Sequence, residues 1–117
     1  MSLEVLGISF DAQNAAALAG FWSRVLERDL GDDATEEFAS IAPSKGDSGP
    51  LLMFHKVPEG KTVKNRVHFD LKSDDVHAET RRLIALGARE LRSFGENNNQ
   101  WVSFADPEGN EFDLVPA

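Results

Sequence analysis

The stretch Asn65-Arg66-Val67-His68-Phe69-Asp70-Leu71 alternates polar and apolar residues, and Glu111-Phe112-Asp113-Leu114-Val115 repeats the pattern further on. A strict period of two marks a strand with one buried face. Val67, Phe69 and Leu71 form the expected apolar face of the first, leaving His68 and Asp70 opposite. Phe112 and Leu114 do the same in the second, leaving Glu111 and Asp113. Surface strands ordinarily carry Lys, Thr or Ser on the outer face. A histidine and carboxylates there are the groups that a metal or proton-transfer site requires.

Composition narrows the setting for such a site. A chain of 117 residues with 41% hydrophobic and 27% charged residues is expected to form one domain with its own core. Twelve basic against 20 acidic residues leave a net charge of −8, and no Lys/Arg cluster stands out, so nucleic acid and anionic membrane are not expected partners. No apolar run is long enough to cross a bilayer, and the first residues lack the pattern of a signal peptide. The absence of cysteine excludes disulfides, thiolate catalysis and Cys-based zinc sites, and a cytoplasmic location is the default expectation.

Outward from the two strands, the chain reads as two similar halves, about 3–60 and 61–117. Residues 3–11 alternate with Leu6, Ile8 and Phe10 on one side. Asn14 can cap a helix whose apolar positions are Leu18, Phe21, Trp22, Val25 and Leu26, with Gly31 as its stop. Strands are expected over 37–42 and 51–57, separated by a Pro/Gly/Ser loop over 43–50, with room for one short strand near 30–35. In the second half, a strand over 66–72 leads to a helix capped by Asp74 or Asp75. That helix carries Val76, Thr80, Leu83, Ile84 and Leu86 and ends at Gly87. Strands over 89–92, 100–105 and 111–115 follow, with a polar loop at 95–99 and a turn at Asp106-Pro107-Glu108-Gly109-Asn110. Gly7 and His68, like the caps Asn14 and Asp75, lie 61 residues apart, and residues 53–58 overlie 111–116, so His55 falls on Asp113.

With Val67-His68-Phe69-Asp70-Leu71 opening the second half and Ala105-Asp106-Pro107-Glu108-Gly109-Asn110-Glu111-Phe112 near its end, the chain resembles the vicinal oxygen chelate superfamily. This is the group of glyoxalases, bleomycin resistance proteins and extradiol dioxygenases, and the resemblance is nearest to small bacterial glyoxalase-like proteins. It implies an α+β fold in which two βαβββ modules form an open, cup-shaped mixed sheet with helices outside. The side chains it places toward the cup include Ser9, Met53, Asp70, Trp101 and Ser103 as pocket residues. Metal-dependent members use one ligand from the first and one from the last strand of each module. Carried across, these are Gly7, His55, His68 and Asp113, of which Gly7 has no side chain to offer. His55, His68 and Asp113 would suit Fe, Mn, Ni, Co or Zn as divalent ions. Glu111 is the nearest candidate proton carrier, or else a rim carboxylate paired with Arg66 or left in water.

Two functions of different class follow. One is a metal-dependent lyase, isomerase or dioxygenase acting on a small molecule with vicinal oxygens. The other is a metal-free binding or drug-sequestering protein of the bleomycin-resistance kind, with no cofactor. Trp22 is expected in the core and His77 in solvent; Trp101 is either pocket wall or dimer contact. Asn97, Asn98 and Asn99 read as plain polar loop. The resemblance also implies a homodimer that buries exposed sheet edges.

Overall fold

A computed structural model describes residues 2–46, 49–96 and 99–117. It contains β1 (Gly7–Ala12), α1 (Ala15–Leu26), β2 (Phe38–Ile41), β3 (Leu51–Lys56), β4 (Phe69–Ser73), α2 (Val76–Leu86), β5 (Arg89–Phe94), β6 (Trp101–Ala105) and β7 (Glu111–Pro116). The fold is α+β, with two modules of the βαβββ order and two mixed sheets. In the first module, the strand expected near 30–35 is the single bridge Leu30–Ile41. The chain divides into compact units Met1–Gly60 and Lys61–Ala117. Asp47 and Ser48 of the 43–50 loop, and Asn97 and Asn98 of the 95–99 loop, lie outside the described residues.

In the first unit the sheet order is β1-β3-β2, with β1 parallel and β2 antiparallel to β3. Asn14 caps α1 by accepting the Ala17 N–H at 3.0 Å. The helix stops earlier than Gly31, at Glu27, which takes a left-handed φ of 55°. Ser23 explains this: it donates its hydroxyl to the Arg28 carbonyl, and its own carbonyl accepts the Arg28 N–H at 3.1 Å. Those bonds hold a turn that glycine usually fills. Leu18, Phe21, Trp22 and Val25 are buried on the helix's apolar stripe, with Ala39, Ile41, Leu52 and Phe54 from the sheet. Phe10 joins Trp22 at 5.9 Å and stacks on Phe54 at 4.9 Å.

The second unit has the order β4-β7-β6-β5, with β4 parallel to β7 and the other pairs antiparallel. Asp75, not Asp74, caps α2 by accepting the Ala78 N–H at 3.0 Å, and Gly87 ends it with φ 118°. Val102, Phe104, Phe112 and Leu114 are buried, and Phe104 stacks on Phe112 at 5.4 Å. The faces of β6 and β7 therefore alternate as the sequence predicts.

Two strand starts differ from expectation. Val67 is 77% exposed and Leu6 78% exposed, although both were assigned to apolar strand faces. The partner strands set the limit. Phe69 pairs with Phe112 and Gly7 with Leu51, at or beside the first residues of β7 and β3. At Leu6 the carbonyl still accepts the Leu51 N–H at 3.3 Å, but the paired register begins at Gly7, and the Leu6 and Val67 side chains stay in solvent. Ile84 is also exposed, because of the adjacent pair only Leu83 turns to the sheet.

Candidate functional site

On β6 and β7 the face opposite the buried one carries Trp101, Ser103, Glu111 and Asp113. Asp113 stands directly beside Asp70 in the parallel β4–β7 register and beside Ser103 in the antiparallel β6–β7 register. Three neighbouring strands thus bring Asp70, Asp113 and Ser103 into one row. Neighbouring strands lie about 4.8 Å apart, so short side chains in such a row touch. Ser103 donates its hydroxyl to Asp113 Oδ1 at 2.6 Å. His68, one residue before β4, turns Nδ1 to Asp70 Oδ1 at 3.2 Å and to Asp113 Oδ2 at 4.0 Å.

His68, Asp70 and Asp113 each offer a donor atom within 4.8 Å of the other two. Among the described residues this is the group of three or more His, Asp or Glu side chains placed to hold an ion. Metal–ligand bonds of roughly 2.1 Å set adjacent donors of an octahedral ion roughly 3 Å apart, so the observed spacings fit a cation among them. Of the ligands that the resemblance implies, His68 and Asp113 come together in the second unit. Asp70, expected only as pocket lining, joins them, and no sequence signal separated those two roles because both place it on the same strand face.

The other expected ligand, His55, belongs to the first unit, on β3, where its ring lies 5.2 Å from that of Phe38. Gly7, the counterpart of His68, is sterically closed as well as bare. A Cβ there would stand 2.7 Å from the Leu51 carbonyl oxygen and 3.0 Å from Met53 Cε. Ser9 and Met53 are register partners in the first unit's sheet.

Glu111 is fully engaged. Its Oε2 accepts from Lys61 Nζ at 2.8 Å and its Oε1 accepts the Asn65 N–H at 3.0 Å, while Asn65 Nδ2 donates to Asn110 at 3.0 Å. Burial works to raise its pKa. The Lys61 hydrogen bond, the N–H groups of Asn65 and Glu111 itself, and the Lys61 charge outweigh burial and hold the carboxyl below its ordinary value. Its partner is therefore Lys61 and not Arg66. The clamp secures residues 61–65, just ahead of His68, and it is not legible in the sequence because the pair spans 50 positions.

Trp101 stacks on Phe94 across β5–β6 at 4.0 Å, and the Arg92 guanidinium lies 5.0 Å over the Phe94 ring. Asp106 is buried and accepts the Glu108 and Asn110 N–H groups, each at 2.9 Å, which holds the turn that leads into β7. A hollow of about 330 Å³ lies at the start of α2, lined by Ser73, Asp74, His77 and Gln100 among others. It shares no residue with the cluster, and its carboxylates oppose the anion that a helix N-terminus would attract.

Residues 7–115 match the model of the glyoxalase-like domain. The chain belongs to the glyoxalase-like family. Solved structures of the glyoxalase, bleomycin resistance and dioxygenase group have the same fold. A family enzyme from Burkholderia phytofirmans PsJN is 17% identical with a TM-score of 0.73, over 97% of this chain and 98% of that one. A mutant of the fosfomycin resistance protein FosX from Listeria monocytogenes, complexed with Mn(II) and 1S,2S-dihydroxypropylphosphonic acid, is 13% identical with a TM-score of 0.75, over 98% and 90%. Lactoylglutathione lyase from Agrobacterium tumefaciens is 14% identical with a TM-score of 0.65, over 100% and 96%. No curated protein matches the sequence. In this glyoxalase-like chain, no helix among the described residues is long and apolar enough to cross a membrane.

Proposed function

We propose that this glyoxalase-like chain binds a small molecule with adjacent oxygens beside a divalent ion held on His68 and Asp113, and acts as a metal-dependent lyase, isomerase or dioxygenase. The observation that carries this is the approach of His68 Nδ1 to Asp113 Oδ2, whose carboxylate Ser103 orients from its other oxygen. A structural relative crystallised with Mn(II) and a diol supports it. When bound, the ion would supply Lewis-acid polarisation of the two substrate oxygens. His68 must be neutral to serve, so binding competes with its protonation. Glu111, with both oxygens occupied, holds the approach to His68 in place rather than carrying a proton. Trp101 offers a flat apolar wall on the same sheet face. The cysteine-free composition fits a reducing cytoplasm.

Thermal melts with Mn, Fe, Co, Ni or Zn ions at pH 7.5 test the reading. At an ion concentration a hundred times Kd, stabilisation of about 3 kcal/mol is expected. A melt unmoved by all five ions defeats it. That result would favour a metal-free binding module, the reading for which the closed position at Gly7 speaks. Leu3, Val5, Leu6, Val63 and Val67 are exposed. We infer that two chains pair to cover them, and sedimentation equilibrium at the monomer mass would refute the dimer.

A further inference from the structure

We propose that Asp70 is a direct ligand of the same ion, so that one imidazole and two carboxylates of the second unit hold it. This rests on the metal-dependent reading above and assigns Asp70 a role that the family resemblance does not give it.

A carboxylate that only steadies a liganding histidine approaches the ring nitrogen that the ion leaves free. Here both carboxylates face the same atom: Asp70 Oδ1 lies 3.2 Å from His68 Nδ1, and Asp113 Oδ2 lies 4.0 Å from it. The three donors lie within 4.8 Å of one another, close enough to share one ion. The register keeps them there, since Asp70 and Asp113 are directly paired on β4 and β7. Ser103 bonds only Oδ1 of Asp113, so Oδ2 stays directed at the imidazole.

Asp70 supplies the third donor from the second unit's own β4, beside Asp113 in register. With it, the second unit holds three donors by itself. Two carboxylates to one imidazole form a harder donor set than two imidazoles to one carboxylate, and this suits Mn(II).

Mn(II) titration followed by electron paramagnetic resonance, with water-proton relaxivity of the saturated complex, decides the point. Asp70→Asn should weaken Mn(II) binding about 100-fold and add one water to the bound ion, with the metal-free melt unchanged. His55→Ala should leave both quantities within about twofold of the parent. An unchanged water count in Asp70→Asn, whatever the affinity, would make Asp70 a steadying residue and overturn the proposal. If His68→Ala and Asp113→Asn still abolish binding in that case, the metal-dependent reading survives without it. Parent protein that binds no Mn(II) overturns both, and a large loss in His55→Ala with little in Asp70→Asn overturns the ligand set proposed here.

Discussion

In the first unit, α1 buries Ala15, Leu18, Ala19, Phe21, Trp22 and Val25; in the second, α2 buries Leu83 alone. The open sheet faces differ in the opposite sense. Ser9, Met53 and Ser40 occupy register-paired positions in the first unit, and Asp70, Asp113 and Ser103 occupy a register-paired row in the second. One module concentrates apolar packing and the other concentrates charge, on the same order of elements. The difference teaches that one order of elements can carry its large apolar helix face in one module and its paired carboxylates on the sheet of the other.

The largest effect should come from breaking the packed side of this contrast. Phe21→Ala should cost about 3–5 kcal/mol in chemical denaturation, enough to unfold much of the population at ambient temperature. Leu83→Ala on α2 should cost about 2–3 kcal/mol; a loss equal to that of Phe21 would erase the distinction between the helices.

Gly7→Ala comes next. The added methyl meets backbone at 2.7 Å, so β1 must shift, and a loss of about 1–3 kcal/mol is expected. A neutral result would mean that the β1–β3 pair gives way easily and that the first unit could accept a ligand there.

Glu111→Gln sharpens the comparison at the charged side. It removes a half-buried ion pair and should cost about 1 kcal/mol at pH 7. The sign with pH follows from the lowered carboxyl. Its contribution is fully present above the ordinary carboxylate value of about 4.3 and is lost as pH falls through the lower folded value. The gap between parent and variant melts should therefore close in acid. A gap that stays constant down to pH 3 would show that the Lys61 clamp does not stabilise the fold. Smallest of all, His77→Ala on the exposed side of α2 should change stability by less than about 0.5 kcal/mol.

Periodicity and caps made much of this legible beforehand. Asn14 and Gly87 do what their positions in sequence announce, and the buried sides of β6 and β7 follow from alternation alone. Where a strand begins is a different kind of information. Val67 and Leu6 continue the alternating pattern ahead of the paired registers, which begin at Phe69 and Gly7, and pairing depends on residues far along the chain. The site shows the same division. His68 and Asp113 stand out in the alternation of their segments, whereas the Lys61–Glu111 clamp and the shared approach of two carboxylates to one nitrogen arise only from register.

The closed position at Gly7 also constrains where this sequence can go. A side chain introduced at residue 7 would collide with the Leu51 main chain, which no substitution at residue 51 can remove, and with the tip of Met53. Any larger residue there would take a displacement of β1 first, so the position is held at glycine by its neighbour's backbone.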